Sequence, residues 1–139
     1  MMHREYKLTN KTKENIKSAI MEILKTKKEV GFAFLHGSFL EERSFHDIDI
    51  SVYICEDGIP EDLLEYELSL SSVLEGRIRL PVDVKILNKA PIAFRYEVTR
   101  GEVIFSRNEE ARLRFVENTW NEYLDYKPVA EYIIRELAA

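Results

Sequence analysis

Apolar side chains recur at two different spacings along this chain, and the switches between them mark out its elements. Ile16, Ala19, Ile20, Ile23 and Leu24 fall three and four residues apart. They predict a helix from an Asn10 cap to about Lys28, with Lys13, Lys17, Lys25 and Lys27 as a solvated face. Val30 to His36 is an apolar run broken only by Gly31; it has the length of a buried strand and leads directly into Gly37-Ser38. Strict alternation follows in Asp47-Ile48-Asp49-Ile50-Ser51-Val52-Tyr53-Ile54. The four branched aliphatics share one face of this strand, and Asp47, Asp49, Ser51 and Tyr53 share the other. Glu56 to Pro60 is a turn, and Pro60 with Glu61 and Asp62 opens a second helix. Its apolar stripe is Leu63, Tyr66, Leu70, Val73 and Leu74, and Gly76 is its stop.

Period two returns from Arg79 to Leu87, with Leu80, Val82, Val84 and Ile86 facing one way and Asp83 and Lys85 the other. Pro91 begins a short helix ending at Gly101, and Glu102 to Phe105 is a brief strand. Asn108 caps a longer helix with the stripe Leu113, Val116, Trp120, Tyr123 and Leu124, in which Trp120 and Tyr123 read as core. Pro128 is expected to separate it from a last amphipathic turn or helix carrying Val129, Ile133 and Leu137. Tyr126, Tyr132 and Ile133 read as packed against the domain, with a partner surface as the second reading. The order α, β, β, α, β, α, β, α predicts an α/β (α+β) fold, a small mixed sheet flanked by helices, in a single domain over residues 1–139.

Composition narrows the function classes. With 139 residues, 45% of them hydrophobic and 32% charged, the chain reads as one soluble globular core; disorder and coiled coil are excluded. Cys55 is the only cysteine, so no intrachain disulfide and no Cys-based zinc site exist, and it reads as a small packing residue. No apolar stretch approaches the ~20 residues of a spanning helix, and no apolar signal core follows Met1-Met2-His3-Arg4, which predicts a cytoplasmic protein without a membrane partner. The net charge of -5 is uneven: residues 1 to 30 carry eight Lys/Arg against four Glu, and the remainder carries twelve against twenty-one acids. Stable nucleic-acid binding is not expected of that balance.

The acids are where the chemistry lies. Asp47 and Asp49 project from the same side of one strand, and Asp83 stands in the other well-formed strand; if those strands are neighbours with faces aligned, three carboxylates converge. Close carboxylates stay ionised together around a divalent ion, and magnesium suits carboxylate, water and phosphate oxygens. Two such ions about 3.5 to 4 Å apart activate an attacking oxygen and stabilise a leaving one in phosphoryl or nucleotidyl transfer. Gly37 lets backbone amides approach a phosphate and Ser38 adds a hydroxyl, while the forked donors of Arg43 can neutralise a further phosphate oxygen. His36 and His46 bracket the Gly-Ser turn and read as strand-end and loop histidines with local hydrogen bonds.

The blocks Phe34-Leu35-His36-Gly37-Ser38-Phe39, Asp47-Ile48-Asp49-Ile50-Ser51-Val52 and Pro81-Val82-Asp83-Val84 resemble the DNA polymerase β-type nucleotidyltransferases. The closer likeness is to their small stand-alone prokaryotic members, the minimal nucleotidyltransferases (MNT). Looser similarity through Ala90 to Glu97 and Tyr123 to Pro128 extends it over nearly the whole chain. The resemblance implies a palm-like nucleotidyltransferase fold and transfer of AMP from ATP with two Mg2+ ions. It implies that Gly37 and Ser38 hold the triphosphate and Asp47 and Asp49 bind metal, and that Asp83 completes the metal site and helps deprotonate the acceptor hydroxyl. It also implies a partner, because MntA-like antitoxins pair with HEPN ribonuclease toxins and adenylylate a tyrosine near the toxin's catalytic site. A homo- or hetero-oligomer is part of that expectation. Two other readings stand beside it. One is nucleotidyl transfer to a small molecule or an RNA end. The other is a non-catalytic antitoxin that masks its partner, favoured by the short loop of eight residues between Ser38 and Asp47 and by Glu41-Glu42 within it.

Overall fold

The structure, a computed structural model, describes residues 4–138. Helix α1 (Asn10–Lys25) precedes β1 (Val30–His36), β2 (Ile48–Ile54), α2 (Leu63–Ile78), β3 (Val82–Ile86), α3 (Ile92–Thr99), β4 (Glu102–Ser106) and α4 (Glu109–Ala138), with short 3-10 turns at Ser38–Leu40 and Glu56–Gly58. The strands form one mixed sheet in the order β3-β2-β1-β4. β1 runs antiparallel to β2 and β4, while α2 crosses over between β2 and β3 and leaves those two parallel. The expected α/β class and mixed sheet are both present.

Period two in β2 and β3 sorts the side chains between the two faces of the sheet. Ile48, Ile50, Val52, Ile54, Val82, Val84 and Ile86 are buried with Ile20 and Leu24 of α1 and Leu70 and Leu74 of α2. On the opposite face, α3 and α4 cover Phe32, Phe34, Tyr53 and Leu87 through Phe94, Val98, Phe115 and Val116. Tyr53 is stacked on Phe32 with ring centroids 4.7 Å apart. Asp49 shares the Tyr53 face but is only half-buried, so the second helical layer stops short of that end of β2. Among the described residues, no helix is long and apolar enough to cross a membrane.

Several boundaries differ from those expected. Thr9, not Asn10, caps α1, accepting from the Thr12 amide at 3.2 Å, and the helix stops at Lys25, three residues early. There Thr26 donates its hydroxyl to the Ile23 carbonyl at 2.6 Å and closes the last turn. Asp62 caps α2 by accepting from Glu65, which moves the start from Pro60 to Leu63. Gly76 does not stop α2. The helix continues to Ile78, and Arg79 takes the left-handed conformation at φ 67° that a glycine would adopt more readily. β3 accordingly begins at Val82 rather than Arg79. A methyl group at Gly76 would meet open space, so Gly76→Ala should stabilise the protein by about 0.5 to 1 kcal/mol, a rise of roughly 2 to 4 °C in Tm in a thermal scan.

The largest departure is at the C-terminus, where α4 runs unbroken through Pro128. Pro128 is exposed, so water can replace the donor that the Leu124 carbonyl loses. The core and packing readings fail for most of this helix. Trp120 is on the rim, donating Nε1–H to Thr99 Oγ1 at 3.0 Å, and Tyr126, Tyr132 and Ile133 are exposed. Tyr123 does pack, stacked on Tyr96 of α3 with centroids 3.8 Å apart.

Candidate active site

Parallel pairing sets Asp49 of β2 directly beside Asp83 of β3, and Asp47 lies one residue before β2. One carboxylate oxygen from each of the three aspartates falls within 4.8 Å of the others. The expected convergence is therefore present, with all three side chains half-buried. Burial, then the charges of Asp47 and Asp83, push the Asp49 carboxyl up to about 6, with Lys85 acting in the opposite sense. Lys85 Nζ stands 3.7 Å from Asp83 Oδ1. Three carboxylate oxygen donors gathered this closely fit a hard divalent cation such as magnesium and suit softer metals poorly.

The sign of the Asp49 shift gives a prediction for protein stripped of divalent ions. The folded carboxyl, at about 6, holds its proton more tightly than the unfolded chain at 3.8, so stability falls as pH rises from about 4 to about 6 and stays lower above that. Discounted for the half-exposed position, the penalty at pH 7 is about 1 kcal/mol. Asp49→Asn should therefore raise Tm by about 3 °C at pH 7 in chelator and by nothing at pH 4, as read in paired thermal scans.

Edge strand β3 is held from outside by a ladder of α2 side chains. Glu75 accepts from the Val82 amide at 2.9 Å, Ser71 from Val84 at 3.1 Å and Glu67 from Ile86 at 2.8 Å. Residues four apart on a helix rise about 6 Å and residues two apart on a strand about 6.6 Å, so one helix face matches every outward amide of the strand bearing Asp83. Glu75→Ala should leave the Val82 amide without its acceptor, costing about 1 to 2 kcal/mol, and speed its hydrogen exchange; Glu75→Gln, which keeps an acceptor, should largely restore both.

Gly37 follows β1, whose last residue, His36, pairs with Asp49 across the antiparallel ladder. Its φ of +81° with ψ of -165° is open to glycine alone, and a Cβ there would lie 2.3 Å from Asp49 Oδ2. Ser38 opens the following 3-10 turn. Lys13 of α1 secures that turn by donating Nζ–H to the carbonyls of Phe39 at 2.7 Å and Glu41 at 2.8 Å, above the rings of Phe39 and Phe45. The solvated-face reading of Lys13 is thus corrected, as is that of Lys17, which bonds Glu102 at 2.9 Å. No signal in the sequence ties Lys13 to a loop 26 residues away.

Arg43 is exposed and turned onto Glu41 rather than toward the aspartates. His36 hydrogen-bonds Ser51 Oγ through Nε2 at 2.8 Å, and burial lowers its pKa against the opposing pull of Asp83, so the ring is neutral at pH 7. His46 contacts the Arg4 carbonyl through Nδ1 at 3.2 Å. Local bonds were expected of both histidines; instead His36 bonds across to β2 and His46 to the segment before α1. Two clefts flank the aspartates. One, of about 390 Å³, is lined by His36, Gly37, Leu40, Glu41, Glu97, Arg100 and Gly101. The other, of about 360 Å³, lies on the β3 side between Glu67, Lys85, Ile86, Ala90, Pro91 and Phe94.

Comparison with known proteins places this geometry. No curated protein matches the sequence. Among solved structures, the chain is similar to an MNT antitoxin in complex with a tri-AMPylated HEPN toxin of Shewanella oneidensis, with a TM-score of 0.72 at 19% identity over 91% of this chain and 99% of that one. It is similar to a mutant MntA-HpeT toxin-antitoxin complex, with a TM-score of 0.73 at 20% identity over 88% of this chain and 98% of that one. A toxin-antitoxin structure with AMP-PNP gives a TM-score of 0.71 at 20% identity, over 88% and 98%. These likenesses show a common fold. The family model for the polymerase beta nucleotidyltransferase domain matches residues 18–110, a span that contains Gly37, Ser38 and all three aspartates. With most of its length matched to that model, the chain belongs to the polymerase beta nucleotidyltransferase family.

Proposed function

We propose that this protein transfers AMP from ATP to a hydroxyl of a protein partner, a tyrosine of a HEPN-type toxin, and so acts as an antitoxin by adenylylation. The observation that carries the reading is the meeting of Asp47, Asp49 and Asp83 within 4.8 Å beside the Gly37–Ser38 turn. The neighbours support the partner class: one holds an AMPylated HEPN toxin and another an ATP analogue.

The three aspartates would hold magnesium, which when bound neutralises triphosphate charge and lowers the pKa of the acceptor hydroxyl. The chain's own groups do the rest. Gly37 brings backbone close to the phosphates, and Ser38 offers a hydroxyl donor at the start of its turn. Lys13 fixes the carbonyls behind that turn, so the phosphate-facing side is preorganised. Asp83, on the edge strand, accepts the proton as the acceptor oxygen bonds to the α-phosphorus and the bond to pyrophosphate breaks. Arg43 would contribute a phosphate contact only after leaving Glu41.

The test is incubation of the purified protein with Mg-ATP labelled at the α-phosphate and a HEPN-type toxin. Mass spectrometry should find AMP on a toxin tyrosine, together with loss of ribonuclease activity. Inhibition of the toxin without label would support masking, and label on RNA or a small molecule in place of the toxin would support the remaining reading.

A further inference from the structure

The cleft on the β3 side has a composition that the aspartate site does not explain. Its walls are Ile86, Ala90, Pro91 and Phe94, and its charged rim is Glu67 and Lys85. Glu67 is engaged with the Ile86 amide, so Lys85 is the rim group facing the aspartates, 3.7 Å from Asp83. Phe94 is set against His36, edge to face with centroids 5.7 Å apart, and this fixes the inner wall beside the strand that leads to Gly37. A slot with apolar walls and one cation on its rim, 3.7 Å from Asp83, suits a flat ring ending in an oxygen.

We infer that this slot receives the phenol ring of the acceptor tyrosine, with its hydroxyl directed at Asp83 and Lys85. The inference rests on the proposed transfer and adds the place where the acceptor binds. In-line displacement puts the acceptor and the departing pyrophosphate on opposite sides of the α-phosphorus. The sheet order sets Gly37–Ser38, at the end of β1, and Asp83, on β3, to either side of β2. With the phosphates on the Gly37 side, the acceptor approaches from the β3 side, where the slot opens. The Lys85 ammonium favours the developing phenolate, the phenol O–H proton passes to the Asp83 carboxylate, the oxygen bonds to the α-phosphorus, and pyrophosphate leaves with its bonding electron pair. An aliphatic hydroxyl on a short side chain fills the same slot poorly, so the slot selects tyrosine over serine or threonine.

Ala90 is the position to alter, because only its backbone is engaged, its amide to Leu87 at 3.1 Å and its carbonyl to Arg95 at 2.9 Å. Ala90→Trp should fill the slot and lower kcat/KM for the toxin by about 100-fold, with KM for ATP changed less than about threefold. N-acetyltyrosinamide titrated into isotopically labelled wild-type protein should give saturating shifts at Lys85, Ile86, Ala90 and Phe94. AMP-PNP with Mg2+ should instead shift Gly37 and Ser38. Nucleotide-induced shifts centred on Ala90 and Phe94, or a rise in the KM for ATP in Ala90→Trp, would assign the slot to the base and overturn the inference. Unchanged acceptor kinetics in Ala90→Trp would do the same. If the wild-type protein transfers nothing to a toxin, the transfer reading fails by itself, and the tyrosinamide titration still decides the slot.

Discussion

Asp83→Asn is expected to reduce AMP transfer by at least about a thousandfold while the protein remains folded, and Asp47→Asn and Asp49→Asn should do the same. Asparagine keeps the shape of the side chain and one acceptor oxygen but removes the charge that a cation requires. The electrostatic help lost is several kcal/mol of transition-state stabilisation, and each 1.36 kcal/mol is about tenfold in rate. The fold should tolerate the change because none of the three is in the apolar core, and Asp49 is held in a field that already disfavours its charge. Transfer would be measured as label incorporated into the toxin, and folding by Tm. Full transfer in any one variant rejects that residue as a ligand. The same variants also separate transfer from masking: if all three lose labelling yet still silence the toxin, the antitoxin effect is steric.

Much of this site was legible because a strand converts sequence spacing into facing. Asp47 and Asp49 had to share a side once Ile48, Ile50, Val52 and Ile54 were assigned to the core, and the same alternation placed Asp83 opposite Val82 and Val84. The pairing of β2 with β3 was not legible, since 27 residues, a helix among them, separate Ile54 from Val82 and only the resemblance suggested that the two acidic strands meet. The α2 ladder was hidden for a different reason. Glu67, Ser71 and Glu75 recur every fourth residue, as any solvated face does, and their acceptor role exists only against an edge strand. Lys13 was hidden likewise, because a lysine on an amphipathic helix looks the same whether it faces water or a loop carbonyl. The C-terminal half of α4 misled because apolar spacing was taken as burial. Tyr126, Tyr132 and Ile133 lie in that half of α4 and stay largely exposed, with Tyr126 touching only the rim through Tyr123 among the described ring contacts.

Gly37→Ala is the second substitution with a large expected effect, and its reason differs from the one the sequence offered. The Gly-Ser turn suggests a glycine kept small for a phosphate. In the structure the nearest occupant of its missing side chain is Asp49, whose Oδ2 would lie 2.3 Å from the new Cβ, a distance carbon and oxygen cannot share. The carboxylate must swing away, carrying one of the three oxygens out of the cluster, or the turn must move and take Ser38 with it. The backbone adds its own resistance, because φ of +81° with ψ of -165° costs an alanine about 1 to 3 kcal/mol. Transfer should fall by about two to three orders of magnitude and Tm by several degrees. Instability alone would predict partial activity below the new melting range with normal metal affinity. The clash predicts that Mn2+ binding, followed by its electron paramagnetic resonance signal, weakens at temperatures where the variant is fully folded. Combining Gly37→Ala with Asp49→Ala distinguishes the two costs. Shortening the aspartate removes the collision, so the double variant should recover the part of the stability lost to the clash while keeping the backbone strain and regaining no transfer.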